Sequence, residues 1–251
     1  MMILKSDSDI RLMRKAGAIA AGALQAAGEA VRPGISTKEL DKIVESYIRS
    51  HGAIPSFKGY GGFPASACIS INEVVIHGIP SEQIILKEGD IVSVDVGAYI
   101  GGFHGDNANT FPVGQVSAEA LQLIEVTRQS LHEVEKILKG GIRLGDIGSC
   151  VDEYVRQFGY STVKDFVGHG IGRALHEDPN VPNFGRAGHG LRLPKGATVA
   201  IKPMINQGTD RVNISNEDGW TVTTADKKLS AHYENTYFID ADRAYVLTQV
   251  E

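Results

Sequence analysis

Cysteine is scarce: Cys68 and Cys150 are the only two in 251 residues. That excludes the disulfide framework on which small secreted domains depend and points to a reducing, cytoplasmic setting. Basic residues are not in excess either. Against 30 Asp and Glu stand 25 Lys and Arg, a net charge of −5 without the positive footprint that nucleic-acid binding requires. No apolar run is long enough to cross a bilayer, so no membrane association is expected. Arg11, Arg14 and Lys15 before Ala16–Leu24 have the outline of a signal peptide. Alanine and glycine make that stretch too weakly apolar, and Ile10, Met13, Gly17, Ala20 and Leu24 keep helical spacing. Low-complexity linkers and short repeats are also missing. With 42% hydrophobic and 22% charged residues the chain has an ordinary globular composition. Helices and strands interleave throughout, which predicts a single α+β domain over residues 1–251.

The stretch from Asp90 to Pro112 is the most informative. Val92, Val94 and Val96 alternate with Ile91, Ser93 and Asp95, the period of a strand with two different faces. Gly101-Gly102 reads as a turn, and Phe103 to Phe111 as a second strand carrying Asp106. Such a hairpin brings two carboxylates together near apolar surface, where they need a cation or a shared proton. The alternative is that Asp106 is a turn residue and Asp95 faces solvent.

Ser6 or Asp7 caps a first helix running to about Ala30, and Ser36 with Glu39 forms a capping box for a second that closes at Gly52. Pro55–Pro64 reads as a glycine-rich loop presenting Phe57, Tyr60 and Phe63, either to a pocket or over a core edge. His77 ends the run Val74–Ile76, where a scaffold hands a side chain to a cleft, although a lone histidine there is more often structural. Two further helices are expected over Leu121–Leu138 and Ile147–Phe158. His169 stands between glycines in Val167–Gly172, and His176 follows seven residues later, both on segments without regular periodicity. Thr198, Ala200 and Lys202 share one face of a strand; Trp220 is expected on another strand, and Glu234 in a final hairpin turning at Asp240–Arg243.

Collected, Asp95, Asp106, His169 and Glu234 are three carboxylates and an imidazole, a donor set for divalent Mn, Fe, Co or Zn and not for a thiolate-rich structural zinc. The segments Arg11–Gly17, Ser70–Pro80, Val94–Val96, Gly105-Asp106, Gly168–Gly172, His176-Glu177, Pro203-Met204 and Tyr233-Glu234 together resemble type I methionine aminopeptidases, in the right order along the whole chain. The resemblance implies the pita-bread, creatinase/aminopeptidase-like fold, with pseudo-symmetric halves around a curved, largely antiparallel sheet. It implies hydrolysis of the bond after an N-terminal methionine by a metal-activated water. Asp95, Asp106, His169 and Glu234 would hold two metals, His77 and His176 would act on the substrate, and Tyr60, Phe63, Leu175 and Trp220 would line the methionine pocket. The partners implied are peptide or nascent-chain N-termini and, by family analogy, the ribosome. A proline-specific relative of the same fold would carry a further N-terminal domain, for which the chain leaves no room before Ile10.

One position departs from that family. Lys202 stands where the family pattern has a glutamate serving as metal ligand and general base. Asp95, Asp106, Glu234 and a protonated Lys202 sum to −3 + 1 = −2, which suits fewer than two metals, one on the Asp95 side or none. An ammonium cannot accept a proton, so a weakened enzyme, or an inactive homologue that binds peptide N-termini as an interaction protein, stands as the alternative to a full hydrolase.

Overall fold

A computed structural model describes residues 2–250. Helix α1 (Asp7–Ala30) and helix α2 (Thr37–Ser50) each open with a reciprocal cap. The Ser6 and Ser36 hydroxyls accept the N–H groups of Asp9 and Glu39, whose carboxylates accept the serine N–H groups in return. Helix α3 (Ala118–Ile137) and helix α4 (Leu144–Arg156) begin earlier than hydrophobic periodicity indicates. The reason is polar: Ser117 Oγ accepts the Ala120 N–H at 3.2 Å, and the Asp146 carboxylate accepts the Arg143 N–H at 3.0 Å. A first turn needs capping groups, not apolar ones.

The expected hairpin is present as strands Ile91–Ile100 and Phe103–Pro112, turning at Gly101 (φ 61°) and Gly102 (φ 85°), with Ala67–Ile71 paired alongside. One face carries Val92, Val94 and Val96 onto Leu24, Leu40 and Val44 of α1 and α2. The other face therefore carries Ser93 and Asp95 away from those helices. A second half repeats the plan. There, α3 and α4 cover a five-stranded sheet of Gly168–Gly170, Glu177–Val181, Thr198–Ile201, Asn235–Ile239 and Ala244–Val246, with Leu123, Leu131, Ile147, Val151, Val199 and Tyr237 in its core. A third cluster, including Met13, Phe57, Phe63, Phe103, Ile171 and Leu175, fills the space between.

Every strand pair among the described residues is antiparallel. The expected curved sheet is divided into one four-stranded, one five-stranded and two three-stranded pieces, and a bridge between Ala108 and Glu234 links the hairpin to the second half. Pairing lapses at Lys202-Pro203, because proline has no N–H for the ladder. Trp220 is not on a strand as expected. The Asp218 carboxylate takes the N–H groups of Trp220 and Thr221 into a turn, and the strand starts at Val222. Among the described residues no helix is long and apolar enough to cross a membrane.

Helix α1 lies against the hairpin at a glycine contact: a Cβ on Gly105 would sit 2.6 Å from the Gly17 nitrogen. Gly105→Ala is expected to destabilise the protein by about 2–3 kcal/mol, since backbone cannot yield as a flexible side chain can. Urea unfolding that shows an unchanged midpoint would contradict that close approach.

Candidate metal centre and adjoining cavity

Register decides which side chains meet. Asp95 pairs with Ala108 and Asp106 with Gly97, so the two carboxylates are diagonal neighbours on one face of the hairpin, opposite small residues that leave the space between them open. Ala108 also exchanges backbone hydrogen bonds with Glu234, at 2.9 and 3.1 Å, which delivers a third carboxylate to the same place. His169 arrives from Gly168–Gly170, paired opposite Ala200. Its Nδ1 donates to the Gly170 carbonyl at 2.9 Å, leaving the Nε2 lone pair 3.5 Å from Asp106 Oδ2 and 3.9 Å from Glu234 Oε1.

Lys202 follows the Thr198–Ile201 strand on the same face as Ala200. Its ammonium is in a tight hydrogen-bonded ion pair with Asp95 Oδ2 and lies 2.9 Å from Glu234 Oε2. Burial opposes the lysine charge, but Asp95, Glu234 and Asp106 outweigh it and hold the pKa above the usual lysine value. Against burial, the same pairing keeps Asp95 below its ordinary value. Burial pushes Asp106 and Glu234 up, reinforced by the Asp95 charge on Asp106 and by the Asp106 charge on Glu234. The charge of the cluster is thus only partly compensated.

Asp95 Oδ1, Asp106 Oδ1 and both Glu234 carboxylate oxygens are buried without a hydrogen-bond partner, the Lys202–Glu234 contact being charge proximity without hydrogen-bond alignment. Unpartnered buried carboxylate oxygens call for a cation. Asp106, His169 and Glu234 each offer one atom, all within 4.8 Å of one another, and oxygen with imidazole nitrogen suits a divalent first-row metal. The residues present therefore fit a divalent ion. These three donor atoms lie on the His169 side of the cluster, while Asp95 Oδ2 is engaged by the Lys202 ammonium.

The centre opens into a cavity of about 190 Å³. Tyr60, Phe63, His77, Leu175, His176 and Trp220 line it, together with Phe57, Cys68, Ile76, Phe166, Val167 and Met204. Phe63 meets Trp220 edge-on at 5.3 Å, and His77 stands edge-on to Phe166 and Trp220 at 5.9 and 6.1 Å. His77 has φ of 59°, a left-handed conformation unusual outside glycine, which is the kind of local strain found at functional positions. His176 Nδ1 is 2.8 Å from Tyr60 Oη, and its ring centroid lies 4.1 Å from that of His169. Burial depresses His176 to about 3 and His77 to about 4, so both are neutral at pH 7.

Two supporting residues escaped the sequence reading. The Thr236 hydroxyl accepts the Asp106 N–H at 3.0 Å and donates to the Asp106 carbonyl at 2.9 Å. Asn107, on the opposite face of the hairpin, donates Nδ2 to the Glu234 carbonyl at 2.6 Å. The alternation that placed Glu234 also placed Thr236 on its face, but nothing local tells that its partner is 130 residues away. Cys68 was likewise legible only as a strand residue until pairing set it opposite Asp95.

Residues 11–241 match the metallopeptidase family M24. The chain belongs to that family. As an M24 member it depends on a divalent metal. It is 54% identical to a methionine aminopeptidase of Clostridium perfringens and 51% identical to one of Clostridium acetobutylicum, in both cases covering 100% of each chain. The solved methionine aminopeptidase of Thermotoga maritima superposes with a TM-score of 0.97 at 43% identity, covering 99% of this chain and 100% of that one. Prolidase from Pyrococcus furiosus, at 24% identity and a TM-score of 0.80, shares the fold. The M24 chain thus has the α+β pita-bread architecture that the resemblance implied.

Replacing Thr236 by Val keeps its shape and removes the hydroxyl clamp on Asp106, so metal affinity should fall about tenfold, while Thr236→Ser retains it. Calorimetric titration of the metal-free protein decides this; equal affinity in all three proteins would refute the clamp.

His232 is fully buried, its Nδ1 donates to the Val75 carbonyl at 2.9 Å, and burial together with the Lys202 charge depresses it to about 3. Its folded pKa lies below the unfolded value of about 6.5, so the unfolded state binds the proton first and the histidine's contribution is lost as pH falls below about 6.5. The Tm of the metal-free protein should therefore fall relative to that of His232→Gln between pH 6.5 and 4. A pH-independent difference would show that His232 does not titrate on unfolding.

Proposed function

We propose that the chain hydrolyses the peptide bond after an N-terminal methionine, acting on peptides and nascent proteins. The observation that supports this reading is the adjacency of an incompletely compensated cluster of buried carboxylates and imidazole to a small cavity walled by aromatic rings, a thiol and a thioether. Asp106, His169 and Glu234 hold a divalent ion, with Mn, Fe, Co and Zn all suited to the donor set. When bound, that ion polarises a carbonyl and makes water nucleophilic at neutral pH.

The protein's own residues supply the rest. Phe63, Leu175, Trp220, Cys68 and Met204 receive an unbranched apolar side chain, which suits the flexible, polarisable thioether of methionine. With Tyr60 Oη donating to Nδ1, the neutral His176 ring carries its proton on Nε2 and offers it to the oxygen on which negative charge develops. His77, held by its backbone against Phe166 and Trp220, contacts the peptide on the leaving side. Lys202, as an ammonium, has no lone pair, so a carboxylate must accept the proton of the attacking water. The same reading sets the protein among nascent chains at the ribosome in the cytoplasm, where the unpaired Cys68 and Cys150 stay reduced.

Methionine release from a Met-Ala peptide, with Mn or Co supplied, tests the proposal. Substituting His176 by Ala should lower kcat about a hundredfold, the scale of one lost oxyanion donor, with Tm within a few degrees of wild type. Cleavage of X-Pro peptides without cleavage of Met-Ala would overturn the substrate assignment, and a collapse of Tm would make His176 a structural residue.

A further inference from the structure

The resemblance to methionine aminopeptidases implies two metal ions, and the donor atoms here do not fit two. Of the three carboxylates, Asp95 gives Oδ2 to the Lys202 ammonium, and Glu234 Oε2 lies 2.9 Å from it. What remains together is one atom each from Asp106, His169 and Glu234. With all three carboxylates ionised, as metal ligation requires, they and the Lys202 ammonium carry a formal net charge of −2. One divalent ion brings the cluster to neutrality; a second would leave an uncompensated +2 in a buried site and stand against the ammonium.

The lysine is also placed, not merely nearby. The Asn183 amide donates to the Lys202 carbonyl at 2.6 Å, Asn183 is fully buried, and the Lys202 side chain is only 11% exposed. Pro203 follows, and the strand resumes at Met204. The side chain is thus directed from a fixed backbone into the space between Asp95 and Glu234.

We propose that the Lys202 ammonium is a covalently tethered cation that takes the place of the second metal, so that this chain has a mononuclear centre at Asp106, His169 and Glu234. This rests on the metallohydrolase reading of the site and adds its stoichiometry. A consequence is that Asp95 and half of Glu234 are compensated before any metal arrives, leaving one side of the centre assembled in the metal-free protein.

The test is to titrate metal-free full-length protein with Mn²⁺ by calorimetry and to measure bound metal after gel filtration. Wild type should take one ion per chain, and Lys202→Glu and Lys202→Met should take two, the second on the released Asp95 and Glu234 oxygens. In chelator, Lys202→Met should melt about 10 °C below wild type, because it leaves buried carboxylates unpaired, and should recover on adding Mn²⁺. Two ions of similar affinity in wild type, one ion in folded Lys202→Met and Lys202→Glu, or equal melting in chelator would overturn the proposal. If the variants do not fold, the wild-type count decides alone. A chain that binds one ion and releases no methionine leaves the tethered-cation inference standing and overturns the aminopeptidase reading; a chain that binds no ion overturns both.

Discussion

Three buried carboxylates held close enough to repel one another are the constraint around which this molecule is organised. An ionised carboxylate in an apolar interior is costly unless paired, and Asp95, Asp106 and Glu234 are each nearly inaccessible to solvent. Lys202 relieves part of that repulsion, and the oxygens beside His169 remain without a partner, a donor set that fits a divalent ion. The unfavourable proximity is sustained by the two helix-supported halves, whose apolar cores hold the strands in register whatever the carboxylates would prefer.

The backbone joints between those halves are as specific as the acids. Glu234 is tied to Ala108 by paired main-chain bonds and to Asn107 by a side-chain amide, while Thr236 grips the Asp106 peptide from both sides. Each joint fixes the carrier of a carboxylate without using the carboxylate itself. The oxygens thus stay free for a cation although their backbones are immobilised, which is how supporting contacts preorganise a centre.

Beside this charged cluster the cavity is walled by rings and sulfur, and its histidines are kept neutral by burial. Neutral imidazoles hydrogen-bond without adding positive charge that would compete with a metal. His176, hydrogen-bonded to Tyr60 and with its ring tilted against that of His169, sits at the boundary between the polar and apolar parts of the site, where a scissile carbonyl would meet both.

Local pattern was enough for the helices α1 and α2, the Asp95–Asp106 hairpin and the candidate polar residues, because capping boxes, alternation and glycine turns are physics of near neighbours. The same information placed Trp220 on a strand, since a side-chain cap from Asp218 competes with alternation and periodicity does not detect it. Thr236, Asn107 and Cys68 could not be assigned a role from the chain alone, as their partners come from distant segments. The sequence by itself determined the chemistry available, including a lysine where a carboxylate was expected, and the total charge of the cluster. Only the tertiary structure decided which oxygens that lysine occupies and which are left without a partner. Charge adds without regard to position, whereas pairing depends on the register of strands and the direction of a side chain leaving a fixed backbone.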